Sequence, residues 1–250
     1  MRYVTAGVFV ALALGGCVPR SDQGLNTSSD RSSLDSAKAA LVDGEAGTSL
    51  AIAHGILASQ PTNVAALAQA GDAEIAMGDR LSAERDYKQA LSIAPHDVRA
   101  RVGLAKLQLR DNLPAAEAAF RAILVDSPHN PIVLNDLGYV LDLQERHAEA
   151  QNLYVEALAS DPNRLSVRVN LALSLALSGQ APRAEQMLRD LAQTAGATSK
   201  VRLDLALAQV IAGHDNEAAQ TMSSELSPDD AKQALEGMAQ LRPAGATVTK

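Results

Sequence analysis

Residues 132–162 read "IVLNDLGYVLDLQERHAEAQNLYVEALASDP". Two apolar stretches flank the polar break "QERH", and the stretch closes on Pro162. Gly138 stands in the first stretch, Ala150 opens the second, and Tyr154 follows Ala150 by four places. The same marks recur along the chain. Prolines fall at Pro61, Pro95, Pro128 and Pro162, separated by 34, 33 and 34 residues, with Gly196 next in that column. One column of small residues runs Gly71, Ala105, Gly138, Ala172, Ala206, and another runs Ala83, Ala116, Ala150, Ala184, Ala218. Four residues beyond each of the latter stands Tyr87, Phe120, Tyr154, Leu188 or Met222. Of the four aromatic residues after Cys17, three occupy that single column. A fixed period of this length is the mark of a repeat array.

These columns resemble the tetratricopeptide repeat, and what they imply is an all-α chain of helix pairs stacked into a right-handed solenoid. Small residues let paired helices approach, and the large residue fills the space left between them. Proline ends a second helix because it cannot extend the hydrogen-bond ladder and turns the residue before it away from helix. Gly78, Gly179 and Gly213 suit the left-handed backbone of the turn within a unit. Pro114 and Pro182 fall where second helices begin, a place proline tolerates. The second unit is one residue short, and the gap falls in its turn. Five units are expected over 64–226, after a degenerate pair over 36–63 with its turn at Gly44. A closing helix over 228–242, capped by Ser227, is expected to cover the last apolar face, with a frayed tail at 244–250. The solenoid as a whole is expected over 36–243.

Composition agrees with helices. Apolar residues make up 47% of the 250-residue chain but aromatics only 2%, so alanine and leucine supply the core, whereas β folds draw on more Val, Ile, Tyr and Phe.

The chain opens with Arg2, an apolar run from Val4 to Leu14, two glycines and its single cysteine, Cys17. A charged start, a short apolar centre and a small-residue exit make a secretion signal, expected over 1–16. "LGGC" resembles the bacterial lipoprotein box, which implies lipidation of Cys17 and cleavage before it. Val18 stands where Asp would favour the inner membrane, so the expected address is the periplasmic face of the outer membrane. Residues 20–36, "RSDQGLNTSSDRSSLDS", are polar and Ser-rich, and 17–35 is expected to be a flexible tether.

No enzyme constellation is present. The sequence has no HExxH, no GxSxG, no Walker loop and no cysteine besides Cys17. His54, His96, His129, His147 and His214 are spread through the repeats with no convergence, so no metal site and no cofactor is read. A net charge of −7 with no Lys/Arg block argues against nucleic acid. A protein partner is expected, with no small-molecule substrate.

Solenoids bind along their concave face. The candidate groove residues are Arg99, Lys106, Arg110, Asn135, Asp136, Tyr139, Asn170, Leu173, Leu177 and Asp204, beside Gln69, Asp72 and Lys200. Arg99, Lys106 and Arg110 share a helical spacing and suit an acidic segment or a terminal carboxylate, or else are neutralised by Asp72 and Asp142. Asn135 and Asn170 suit an extended peptide, since an amide both donates and accepts, or else bond helix to helix. Leu173, Leu177 and Val210 suit an amphipathic helix. Arg101, Arg168 and Arg202 take a usually apolar column and are read as snorkelling.

The segments "VRVNLALSLALSGQAPRAEQMLRDLA" (167–192) and "VRLDLALAQVIAGHDNEAAQTMSSELSPDDAKQALEGMAQLR" (201–242) resemble the TadD family, tetratricopeptide lipoproteins of the tight-adherence (Flp) pilus machinery. The resemblance implies a pilotin-like factor assisting assembly of the pilus secretin. A type IV pilus pilotin, a scaffold for cell-wall enzymes or an outer-membrane assembly lipoprotein would share this architecture. A lipoprotein hydrolase would need catalytic residues that are not seen.

Overall fold

A computed structural model describes residues 27–242. Within them lie thirteen α-helices and no strand. Six helix pairs follow in chain order: α1 (Thr27–Val42) with α2 (Ala46–Ser59), α3 (Val64–Met77) with α4 (Arg80–Ile93), α5 (Val98–Gln108) with α6 (Leu113–Asp126), α7 (Pro131–Leu143) with α8 (His147–Ser160), α9 (Leu165–Leu177) with α10 (Ala181–Ala192), and α11 (Ser199–Ala212) with α12 (Asp215–Ser223). A single helix, α13 (Pro228–Ala239), closes the array. Each helix packs on the next, so the chain is a stack of hairpins and the all-α solenoid reading holds.

The boundaries follow from the residues that the periodicity singled out. α2, α4, α6 and α8 each stop two residues before Pro61, Pro95, Pro128 or Pro162. Two residues after three of these prolines, Asn63, Asp97 and Asn130 cap the next helix: Asn63 accepts from the Ala66 amide, Asp97 from that of Ala100, and Asn130 from those of Ile132 and Val133. The turns inside the pairs share one geometry. Gly44, Gly78, Gly179 and Gly213 have φ of 83°, 84°, 89° and 86°, and Glu145 takes the same place at 62°. In each, the next amide reaches back to the last turn of the first helix, as Asp79 to Glu74 and Arg146 to Leu141, at 2.8 and 2.9 Å. The short second unit lacks a residue of positive φ, and α5 has 11 residues against 13 or 14 in the first helices of the other repeats.

The core is the set of columns. Ala83, Ala116, Ala150, Ala184 and Ala218 are fully buried, as are Phe120, Tyr154, Leu188 and Met222, with Tyr87 nearly so. A Cβ placed on Gly71 or Gly138 would lie 2.6 Å from the ring of Tyr87 or Tyr154. The glycines are what let those rings sit against the first helix. At the far end, α13 lays Ala231 and its neighbours on Ala206, Val210 and Met222, and Arg242 Nε donates to the Val210 carbonyl at 2.7 Å.

Part of the expected tether is helical. α1 begins at Thr27, nine residues before the predicted start of the degenerate pair. Leu34 and Ala37 bury themselves, Leu34 against Ile56 and Ala66, while Ser32, Asp35 and Ser36 stay exposed. Tertiary packing of one narrow stripe stabilises a helix that its polar composition does not announce. The signal segment, Cys17 and the tail at 244–250 lie outside the described residues.

Candidate protein-binding groove

Curvature decides which residues face inward. Beyond chain neighbours, first helices touch first helices: α3 with α5, α7 with α9, and α9 with α11. Successive second helices make no comparable contact among the described residues. The first helices therefore crowd the inner side of the bend, and their exposed stripes line the groove.

At its amino-terminal end the groove is neutralised from within. Arg99 Nε donates to Asp72 Oδ2 at 2.7 Å, and its Nη2 donates to Gln69 Oε1 at 2.6 Å. Gln69 is itself buried and donates to Ser49 Oγ at 2.8 Å. Lys106 Nζ lies 3.0 Å from Asp136 Oδ2. Arg110 stands beyond α5, in the turn, exposed and without an ion pair among the described residues. The three cations therefore do not form the free helical stripe that their spacing predicts. The helix ends after Gln108 because unit two is short, and Arg99 and Lys106 are engaged by acids on neighbouring first helices.

The middle is open. Asn170 Nδ2 donates to Asn135 Oδ1 at 2.9 Å across the α7–α9 seam. The other Asn135 contact is a long one to Asp136 Oδ1, 3.4 Å. The side-chain oxygen of Asn170 has no hydrogen-bond partner among the described residues. Tyr139 is 46% exposed, and Leu173 and Leu177 are half-buried against the core. Val210, expected beside them, is fully buried in the cluster under α13. Asp204 is held by Lys200 at 2.8 Å, one turn away on α11.

Several polar placements were not legible from spacing. Asp142 accepts from Tyr154 Oη at 2.8 Å and Ser174 Oγ at 2.6 Å, and it contacts His147 Nδ1 at 2.8 Å. Arg101 pairs with Asp126 at 2.5 Å and Arg202 with Glu225, so these two are ion-paired within their own units rather than snorkelling. The Arg202 hydrogen bond holds the Glu225 carboxyl down at about 2. Arg168 has no ion pair among the described residues. The histidines are also less scattered than their spacing suggests. His54 meets Glu74 and Asp86, and His214 meets Glu185 and Glu217, each trio with donor atoms within 4.8 Å of one another.

The tetratricopeptide-repeat family profile matches residues 68–131, 103–162 and 143–200. The chain is a tetratricopeptide-repeat protein. Among solved structures, this repeat protein is similar to PilW, described as a widely conserved type IV pilus biogenesis factor, at TM-score 0.65 and 18% identity, covering 84% of this chain and 97% of that one. Pseudomonas aeruginosa PilF is similar at TM-score 0.62 and 15% identity, with coverage of 84% and 97%. A thermophilic tetratricopeptide-repeat protein of Thermus thermophilus matches at TM-score 0.65 and 17% identity, covering 72% and 99%. These likenesses show a shared fold. By sequence, the chain is 35% identical over 98 residues to the uncharacterized protein y4yS of Sinorhizobium fredii, 39% of this chain and 54% of that one. The match thus spans about half the length of that curated relative.

Proposed function

We propose that this repeat protein is a lipid-anchored, non-enzymatic scaffold that seats a segment of a partner protein in its concave groove. The observation that carries the reading is the open stretch on α7 and α9. There Tyr139 is exposed, Leu173 and Leu177 are half-buried, and of the bonded Asn135–Asn170 pair the Asn170 amide oxygen has no partner among the described residues. Amides hold a peptide backbone whatever its sequence, and the leucines and tyrosine hold its apolar side chains.

The partner we assign is a component of the tight-adherence (Flp) pilus apparatus, its outer-membrane secretin. Two observations support this assignment. Residues 167–192 and 201–242 resemble the TadD family, and the fold is shared with PilW, a type IV pilus biogenesis factor, over most of its length. Lipidation of Cys17 would fix the scaffold at the periplasmic face of the outer membrane, since several buried acyl chains hold a protein where one does not. Among the described residues no helix is long and apolar enough to cross a membrane.

The test is an affinity capture from detergent-solubilised membranes with the native chain, the double variant Asn135→Ala, Asn170→Ala, and Tyr139→Ala. Circular dichroism confirms that each variant is folded. The native bait is expected to enrich a secretin, and both variants to lose most of it. Enrichment of cell-wall enzymes instead overturns the pilus assignment, and unchanged capture by both variants overturns the groove. In parallel, Cys17→Ser is expected to move the protein from the membrane to the soluble fraction.

A further inference from the structure

At the amino-terminal end, three helices bring three metal-ligating side chains to one point. His54 comes from α2, Glu74 from α3 and Asp86 from α4, and their donor atoms all lie within 4.8 Å of one another. Glu74 is 3% exposed and Asp86 5%, while His54 opens to solvent. The carboxylates are poorly compensated. Glu74 Oε2 is buried with no hydrogen-bond partner. The nearest cation, Arg85, reaches Glu74 Oε1 only at 3.8 Å and gives its Nε to Asp86 Oδ1 at 3.0 Å, with its own side chain 65% exposed. Two buried carboxylates share one largely solvated guanidinium, which bonds Asp86 and stands off from Glu74, and a buried carboxylate without full compensation is costly in the interior.

A dication supplies what is missing. We propose that His54, Glu74 and Asp86 bind a first-row transition dication of the zinc class. One imidazole and two carboxylates are ligands such ions accept, and three protein donors leave a position for water. Zinc–ligand bonds of about 2.0–2.2 Å require the donors to close in by roughly an ångström, which the exposed His54 side chain is free to do. Arg85 swings into solvent as the ion enters. The second trio lacks this signal. Both Glu185 oxygens are engaged there, Oε1 by Arg189 at 2.5 Å and Oε2 by His214 at 2.8 Å. Bound metal would staple α2 to α3 and α4, fixing the degenerate first pair to the repeats that follow.

Calorimetric titration of the chelator-stripped full chain with zinc chloride at pH 7.5 tests the site, with Cys17→Ser in the background so that no free thiol competes. One equivalent is expected to bind and to raise the thermal midpoint. His54→Ala, an exposed change that leaves packing intact, is expected to weaken binding at least tenfold. Arg85→Ala is expected to bind at least as tightly as the parent, and His214→Ala like the parent. The proposal is overturned if no saturable binding is seen, if His54→Ala binds within twofold of the parent, or if His214→Ala abolishes binding.

Discussion

The hydroxyl of Tyr154 donates to Asp142 at 2.8 Å, and in the first repeat Tyr87 donates to Asp72 at 2.5 Å. The two tyrosines share a column, but their acids do not. Asp72 follows the small residue Gly71 by one place, and Asp142 follows Gly138 by four. Where the column holds Phe120, Leu188 or Met222, both of those first-helix places lack an acid: Lys106 and Leu109, Leu173 and Ala176, Leu207 and Val210. Hydroxyl and carboxylate are present together or absent together. Burial and the adjacent acid push both tyrosine pKa values up, so each phenol remains a donor.

Adding the hydroxyl without the acid is expected to cost more than removing it where the acid has other partners. Phe120→Tyr buries an unpaired hydroxyl, a loss of about 1–3 kcal/mol. Tyr154→Phe leaves Asp142 with Ser174 and His147, a loss of about 1 kcal/mol. Urea unfolding of the two variants ranks them, and a reversed order would sink the pairing rule.

The Tyr87 ring is held between two units. A Cβ on Gly103 would lie 2.3 Å from Tyr87 Cζ, closer than the 2.6 Å at Gly71. Gly103→Ala is therefore expected to destabilise by about 1–3 kcal/mol through overpacking. In a Tyr87→Leu background the same change should cost far less, giving a coupling of about 1 kcal/mol or more in a double-mutant cycle. Additive costs would show that Gly103 matters for some other reason.

Burial, then repulsion from Asp86, raises the Glu74 carboxyl from 4.5 to about 7, with Arg85 opposing. Between these values the folded chain binds the extra proton and the unfolded chain does not, so stability falls as pH rises from 4.5 to 7 and stays low above. In the presence of chelator, Glu74→Gln is expected to gain up to roughly 3 kcal/mol at about pH 8 and almost nothing at about pH 4.5. Glu225 works in the opposite sense. Its lowered pKa contributes stability above about 4.5 that is lost as pH falls toward 2. A gain from Glu74→Gln that is equal at both pH values would refute the burial argument.

Much of the fold was legible in the chain. Pro61, Pro95, Pro128 and Pro162 marked helix ends, the alanine columns marked the seams, and Gly44, Gly78, Gly179 and Gly213 marked the turns. Each acts through its own backbone or volume, so its effect is local and repeats with the period. The turn between α7 and α8 shows the edge of that reading, because Glu145 adopts the left-handed conformation that those four glycines take in theirs. Neighbouring units impose the turn there, and the residue complies. The helical start at Thr27 was hidden for a similar reason, since it depends on Leu34 finding Ile56 and Ala66.

By itself, the sequence determined the period, the helix pairing and the core columns of this protein, because sterics and apolar volume are properties of single residues. Only the tertiary structure decided which groove charges are spent. Arg99, Lys106 and Asn170 each meet a group 27 to 35 residues away. So do His54, Glu74 and Asp86 come together from three successive helices. An ion pair or a ligand set depends on a distance between side chains, and the stacking of one hairpin on the next sets that distance.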